Sequence, residues 1–400
     1  MTPRGSSPTS PGLTRRGVLR GAGWAGVTLL VTGTGALSYR AYDNGVLDAG
    51  AGTPYDAWQH WDTDSSPLGA VAAAILAANP HNTQAWRFTV GPSSIEVRAD
   101  RARWMTAVDP LQREHHVGIG CAIENLTLAL AARGLTPTVA LQPDPADPEL
   151  LARVAWAGHG PPGEVSPLYR AIGHRHSDRG PYRAETVAAQ TLADLTALAD
   201  DEPTVQVRWL TTAAERAETT SLVLDATQDF IDDPARSKEA FSWFRNDRDQ
   251  IDAHRDGPTL DAQGLDPMTL TLAKLLPASS RTTGDAFWLE QTRTVHTATA
   301  AAYGVLTVTD ATQVESRLRG GTVLQRIHLA ATAQGLGLQH MNQVTEAIDR
   351  QSVKGMPATF APRFARLLGD AAQPLVTFRV GVPVRSARPS PRRRLADVTA

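Results

Sequence analysis

The 400-residue chain contains one cysteine, Cys121, which excludes an intrachain disulfide framework and any zinc-ribbon or iron-sulfur constellation. Redox chemistry in such a chain must come from a bound cofactor. Lysine is scarce as well, with only Lys238, Lys274 and Lys354 against many arginines, a bias that carries no chemistry by itself. A formal net charge of −2 provides no global basic field for nucleic acid or an anionic membrane, so a phosphate ligand needs a local pocket. The chain lacks H-E-x-x-H, and its histidines stand without Cys or carboxylate partners at ligand intervals, so no metal site is expected. It also lacks a G-x-S-x-G elbow and a glycine-rich P-loop, which argues against serine hydrolases and P-loop nucleotide enzymes. What is present is ordinary globular material, 42% hydrophobic and 20% charged, enough for two domains of typical size.

The first residues form an address. After a stretch rich in Ser, Pro, Thr and Gly comes Thr14-Arg15-Arg16-Gly17-Val18-Leu19-Arg20, then an uncharged run from Gly21 to Tyr39. That is the layout of a twin-arginine signal, and it predicts residues 1–45 as a signal or anchor. The expected partner is the twin-arginine export machinery and the expected location extracytoplasmic, with membrane contact only through this segment if it stays uncleaved. No clean A-x-A site follows, and Gly and Thr dilute a run that needs about 20 apolar residues to span. Gly21-Ala22-Gly23-Trp24-Ala25-Gly26 fits G-x-G-x-x-G but is preceded by Pro, Ser, Gly and Arg instead of a buried strand, so it is no dinucleotide site. Residues 1–40 hold five arginines and no acids, and losing them takes the net charge of −2 down by five, to −7.

From Ser66 the spacing of Leu68, Val71, Ile75 and Leu76 predicts a helix, broken at Asn79-Pro80. Strands over Trp86–Val90 and Ile95–Arg98 form a hairpin across Gly91-Pro92. A long amphipathic helix follows, with Ile119, Ile123, Leu126 and Leu130 on one face and Gly134 as its cap. Gly120–Leu135 matches Gly321–Leu336 at a constant offset of 201, with six of sixteen residues identical, which favours a duplicated unit. The divisions expected are 46–160 and 161–400, joined near Gly158–Gly163. Residues 225–288, with Phe241, Trp243 and Phe244 embedded among charges, read as an inserted lid.

Two clusters carry the chemistry. The first is the polar loop Asn79-Pro80-His81-Asn82-Thr83-Gln84-Ala85-Trp86, directly after an apolar helix. The second is Arg175-His176-Ser177-Asp178-Arg179, where two guanidiniums flank a hydroxyl, the donor set that a dianionic phosphate requires. Near the end, Pro391-Arg392-Arg393-Arg394-Leu395 adds cations.

The first cluster resembles the A-P-S-x-x-N-x-Q-P-W loop of the nitroreductase-like FMN-binding superfamily, and more closely the H-N-T-Q-P-W form of Acg-type oxidoreductases. The second resembles that superfamily's R-x-S-x-R segment, and the third its terminal P-R-R-P-L-E-E-V. Asn79-Pro80 and Ala85 depart from the pattern. The resemblance implies an α+β, nitroreductase-like fold, two related halves fused as an intrachain pseudo-dimer around antiparallel sheets with flanking helices. It implies FMN as cofactor, with His81, Asn82, Thr83 and Gln84 at the ring system. Arg175, Ser177, Arg179, Arg392 and Arg393 would hold the phosphate, and Asn342 and Gln343 would lie near the reactive nitrogen. The ring loop occurs only in the first half and the R-x-S-x-R only in the second, so one composite site is expected. The activity implied is hydride transfer through FMN to small planar acceptors such as nitroaromatics or quinones, with no side-chain nucleophile. The alternative is an exported FMN-binding or sequestering protein whose lid prevents turnover. Cys121 reads as a small core residue.

Overall fold

The computed structural model describes residues 41–158, 165–369 and 373–400; the twin-arginine motif with its uncharged run, and linker residues 159–163, lie outside them. In chain order the elements that position the site are α1 (Pro67–Ala74), β1 (Trp86–Val90), β2 (Ser94–Ala99), α2 (Arg113–Ala132), β3 (Thr136–Leu141), β4 (Leu150–Ala157) and α3 (Pro167–Ala171). The second series is α4 (Ala189–Thr196), β5 (Val205–Leu210), α5 (Ala213–Asp232), α6 (Pro234–Ser242), α7 (Arg248–His254), α8 (Pro267–Leu275) and α9 (Arg281–Gln291). It continues with β6 (Ala302–Val308), α10 (Val314–Ala333), β7 (Gly337–His340), α11 (Gln343–Val353), α12 (Ala361–Leu368) and β8 (Gln373–Gly381).

The fold is α+β, with two four-stranded antiparallel sheets ordered β1-β2-β4-β3 and β5-β6-β8-β7. Each sheet carries a register irregularity in its second strand, at Val97/Arg98 and at Leu306/Thr307. The strands differ in burial because their environments differ. On β1 and β2 buried residues alternate with more exposed ones, the signature of a sheet solvated on one face. Every residue of β6 is buried, because a second core of Leu222, Val223, Tyr303, Val305, Val344 and Phe364 covers its far side.

The long helices α2 and α10 pack against each other between the sheets. An added Cβ on Gly120 would lie 2.2 Å from the Leu318 carbonyl oxygen, and one on Gly321 would lie 2.2 Å from that of Val117. These two contacts interchange under the same offset of 201. The caps match too: Gly134 and Gly335 take φ of 77° and 74°, and Leu135 and Leu336 donate to the carbonyls of Leu130 and Ala331.

Three expected boundaries differ from the structure. Asp225 lies inside α5, so the excursion between the first two strands of the second sheet starts earlier, directly after β5. Residues 391–400, assigned to the second half, cross to the first: Arg392 N–H donates to the Pro54 carbonyl and Ala400 N–H to that of Phe88, covering the free edge of β1. Asn44 and Gly45, placed in the signal, are tied to Lys274 of α8 at 2.7 and 2.9 Å. No helix among the described residues is long and apolar enough to cross a membrane.

Gly120→Ala should destabilise the fold by about 1–3 kcal/mol, since overpacking against backbone outweighs the helix propensity that alanine gains. Denaturant unfolding checks this, and an unchanged or higher midpoint would contradict it.

Candidate functional site

The α1 helix ends at Ala74 and the chain runs on through a turn to Asn79, which is extended before Pro80, and the next residues are conformationally costly. His81, Asn82 and Gln84 hold φ of 46°, 52° and 52°, a left-handed conformation that side chains with a Cβ seldom adopt. Such strain persists only where surroundings over-determine it. Here the Asn79 side chain accepts the Gln84 N–H at 2.8 Å. The Gln84 amide donates to the Arg255 carbonyl at 2.9 Å and accepts the Arg393 N–H at 2.8 Å. Asn82 donates to the Pro391 carbonyl at 2.9 Å and accepts from the Arg392 guanidinium at 2.7 Å.

The strained loop forms one wall of a cavity of about 310 Å³, within the size range of small-ligand pockets. Asn79, Pro80 and His81 face it. Asn82, Thr83 and Gln84 do not: the two amides expected at a ligand ring are spent on the 391–393 arm and on the excursion, and Thr83 is fully buried.

The second cluster divides as well. An extended bridge between Ser177 and Leu338, with the Asp178 N–H on the Leu338 carbonyl at 2.9 Å, lays residues 177–179 beside β7. Ser177 and Arg179 reach the cavity. Among the described residues Arg179 has no carboxylate partner, only the Ala262 carbonyl at 3.3 Å. Arg175 turns away from the cavity, donating to the Leu76 carbonyl at 2.8 Å and meeting His328 at 3.3 Å. Arg392 also donates to the carbonyls of Leu76 and Ala77, and both guanidiniums lie over the Trp58 ring, at 5.7 and 4.5 Å. They satisfy the negative C-terminal end of α1. Burial depresses both, Arg175 to about 10. Arg393 holds the Gln84 carbonyl at 3.2 Å and faces Asp100 at 3.6 Å. Of the five residues expected at a phosphate, Ser177 and Arg179 line the cavity, whereas Arg175, Arg392 and Arg393 are engaged by the protein's own acceptors.

Opposite the loop, Asn342 and Gln343 open α11 on the cavity, as Gln339 and His340 do from β7. The Asn342 side chain accepts the Thr377 N–H at 3.1 Å. Among the described residues three buried polar atoms on the cavity wall have no partner: Gln343 Oε1, His340 Nε2 and Glu114 Oε1. The remaining wall is apolar, with Phe230, Phe241, Phe244, Phe287 and Trp288 all brought by the excursion, Phe230 from its first helix α5. Trp243 is not part of it; that ring takes the Arg103 and Arg245 guanidiniums at 5.2 and 5.7 Å. Cys121 lies on the cavity, its thiol pushed up to about 12 by burial and its Sγ on the Gly321 carbonyl at 3.2 Å, so it is no nucleophile.

Glu114 and Glu346, both on the cavity, were not singled out in the sequence. An acid in the first turn of a helix reads as a solvated charge, and only the tertiary structure buries these two together. Burial, then the opposing Glu346 charge, holds Glu114 well above the usual carboxylate range. Among the described residues no group of three or more His, Cys, Asp or Glu side chains could hold a metal ion.

No family model matches the chain. A protein of Mycobacterium tuberculosis named "Putative NAD(P)H nitroreductase" is 27% identical over 343 residues, 85% of this chain and 92% of that protein. The similarity to that protein extends over most of both chains. Another protein of that organism with the same name, acg, is 32% identical over 117 residues, 28% of this chain and 34% of its own. Among solved structures, an FMN-dependent nitroreductase of Mycobacterium smegmatis in complex with NADPH matches 58% of this chain and 97% of its own, at 16% identity and TM-score 0.38. A nitroreductase with bound FMN from Desulfitobacterium hafniense matches 59% and 98%, at 14% identity and TM-score 0.36.

Desolvation keeps six histidines neutral, His116, His296 and His328 being buried and His81, His176 and His340 half-buried: His81 and His116 are pushed down to about 4, His176 and His340 to about 3, and His296 and His328 well below their usual range. Below an ordinary value of 6.5 the unfolded chain binds protons that the folded chain refuses, so stability falls as pH falls. Four carboxyls raised by burial, Glu114, Glu124, Asp178 and Glu346, act in the opposite sense but are fewer. The melting temperature should therefore drop between about pH 6.5 and about pH 4. A melting temperature that is flat or rising on acidification would contradict it.

Proposed function

We propose that this chain is an FMN-dependent oxidoreductase of nitroreductase type, passing hydride from a reductant to a small planar acceptor such as a nitroaromatic or a quinone. The observation that carries the reading is the composition of one cavity. It has an aromatic wall and, among the described residues, a cation without a carboxylate partner beside a hydroxyl and three buried polar atoms without partners. A flat heteroaromatic ring with an anionic tail answers each of these demands, so the residues fit FMN. Ser177 and Arg179 would hold the phosphate, while Gln343, Asn342 and His340 would meet the ring's polar edge. FMN supplies two-electron chemistry when bound; the protein's part is binding, orientation and exclusion of water. His81, kept neutral by burial and by the Arg179 charge, can accept or donate a hydrogen bond at the cavity without adding charge. Similarity over 85% of the chain to a protein named "Putative NAD(P)H nitroreductase" supports a nicotinamide reductant.

The architecture is read as two related halves fused in one chain, supported by the shared strand order and the constant offset of 201. Export by the twin-arginine route rests on Arg15-Arg16 and the uncharged run after them. Arg15→Lys with Arg16→Lys should leave the protein in the cytoplasm; unimpaired export of that variant would remove the reading. A second reading, flavin sequestration with little turnover, is favoured by one observation. The aromatics Phe241, Phe244, Phe287 and Trp288 come from a single excursion that walls the cavity.

The purified protein should be yellow and release FMN on denaturation. Arg179→Ala should weaken FMN binding roughly 10- to 150-fold, the loss of one charge-assisted contact of about 1.5–3 kcal/mol. Arg208→Ala, on an exposed pair, serves as control. Full flavin occupancy in Arg179→Ala would overturn the phosphate assignment. Bleaching by NADPH and reoxidation by a quinone support the enzyme; bleaching by dithionite without acceptor turnover supports sequestration.

A further inference from the structure

Hydride transfer to a quinone or nitro group leaves the acceptor one proton short. Ser177, Arg179 and the cavity histidines do not fill that gap. Neutral imidazoles depressed to about 4 and below carry no spare proton at neutral pH, and an arginine releases none. The carboxyl pair at the junction of α2 and α11 does.

Glu114 and Glu346 lie within hydrogen-bonding reach of each other and both face the cavity. Their partners differ. Glu346 is paired with Arg236 at 3.1 Å, a guanidinium that also holds Asp229 at 3.1 Å and stacks on Phe230 at 4.3 Å. Among the described residues Glu114 has no cationic partner, and its Oε1 is buried without any partner. The remaining groups that face it are Asp109, which opposes its ionisation, and the Asn342 amide. Burial raises both acids, and of the two only Glu346 has a cation beside it, so the charge is favoured on Glu346 and the proton on Glu114. A ligand at this spot is indicated independently by Gln343, 6% exposed and on the same cavity, whose Oε1 has no partner among the described residues.

We propose that Glu114 is the proton donor of the reaction, giving its proton to the acceptor as hydride arrives, while Glu346 and Arg236 form the device that keeps that proton in place between turnovers. The assignment rests on the flavin oxidoreductase reading. In the balanced step a quinone takes hydride from the reduced cofactor at one end and a proton from Glu114 at its other oxygen. The carboxyl O–H bond breaks, its electron pair stays on Glu114, and a hydroquinone leaves. The Glu114 carboxylate then faces the Glu346 charge and recovers a proton from solvent.

The test uses Glu114→Gln and Glu346→Gln in the full chain. Infrared difference spectra of the wild type, recorded across a pH titration, should show a protonated-carboxyl C=O band persisting at neutral pH and lost in Glu114→Gln. This reading needs neither flavin nor turnover. In rapid mixing of the reduced holoprotein, the ratio of the quinone rate to the rate with ferricyanide, which takes electrons without a proton, should fall about 10²- to 10⁴-fold in Glu114→Gln. Glu346→Gln removes the opposing charge, so the alkaline limb of quinone reduction should move to lower pH, and this holds even if Glu114→Gln fails to fold. An unchanged rate ratio, a wild type without the neutral-pH band, or an unmoved limb in Glu346→Gln overturns the proposal. A colourless protein that retains the band sinks the flavin reading instead.

Discussion

Two glycines facing one another across a helix pair set the rest of the structure. Gly120 and Gly321 bring the backbones of α2 and α10 into direct contact, each filling the space that a Cβ on the other helix would need. A glycine inside a helix costs roughly 0.5–1 kcal/mol against alanine, so its use at both positions reflects the close approach that it permits. That approach sets the sheets on either side of a common layer and brings the start of α2 beneath the second sheet's loops. Glu114, Val117, Gly118 and Cys121 then meet Leu324 from the opposite helix on the cavity wall. The site is a by-product of the helix crossing: neither half presents a cavity wall of its own that includes both the strained loop and the Ser177–Arg179 segment.

Polar matching around that site follows a division of labour. Groups with good hydrogen-bonding partners in the chain, such as Asn82, Gln84 and Arg392, shape the loop, and groups left without partners, such as Gln343 Oε1 and Glu114 Oε1, face the empty volume. An unpartnered buried polar atom costs on the order of 1–3 kcal/mol. Several gathered on one cavity therefore describe a ligand's outline more directly than the residues that are already satisfied. Desolvation of the charged imidazole keeps six histidines neutral, three of them buried and three half-buried, and makes the fold sensitive to acid.

The parts legible in the sequence were those fixed by local periodicity. β1 was read as Trp86–Val90 and is observed there, because alternation and the Asn79-Pro80 break are local signals. The helix cap at Gly134 followed from the same kind of evidence, whereas the α+β class came from the resemblance of the two motif clusters. The site residues were legible as types and not as roles. Arg175 and Arg392 have the donors that a phosphate wants, but a helix C-terminus offers carbonyl acceptors to the same donors, and nothing in a linear pattern ranks the two. Glu114 and Glu346 were illegible for a different reason. Their significance depends on being buried together across more than two hundred residues, and a charged residue in a helix gives no local sign of that.

The strained loop has a consequence for how the protein is made. Its geometry is secured by Arg393, whose N–H meets Gln84 across a separation of 309 residues, and by Arg392, which meets Asn82 across 310. On a ribosome, residues 79–84 emerge long before either arginine exists, so the loop must wait for almost the whole remaining chain. Contacts of such span are slow to close. The cavity is thus among the last parts of the molecule to acquire its shape, and a ligand that needs the locked loop can be loaded only onto a chain already synthesised through residue 393.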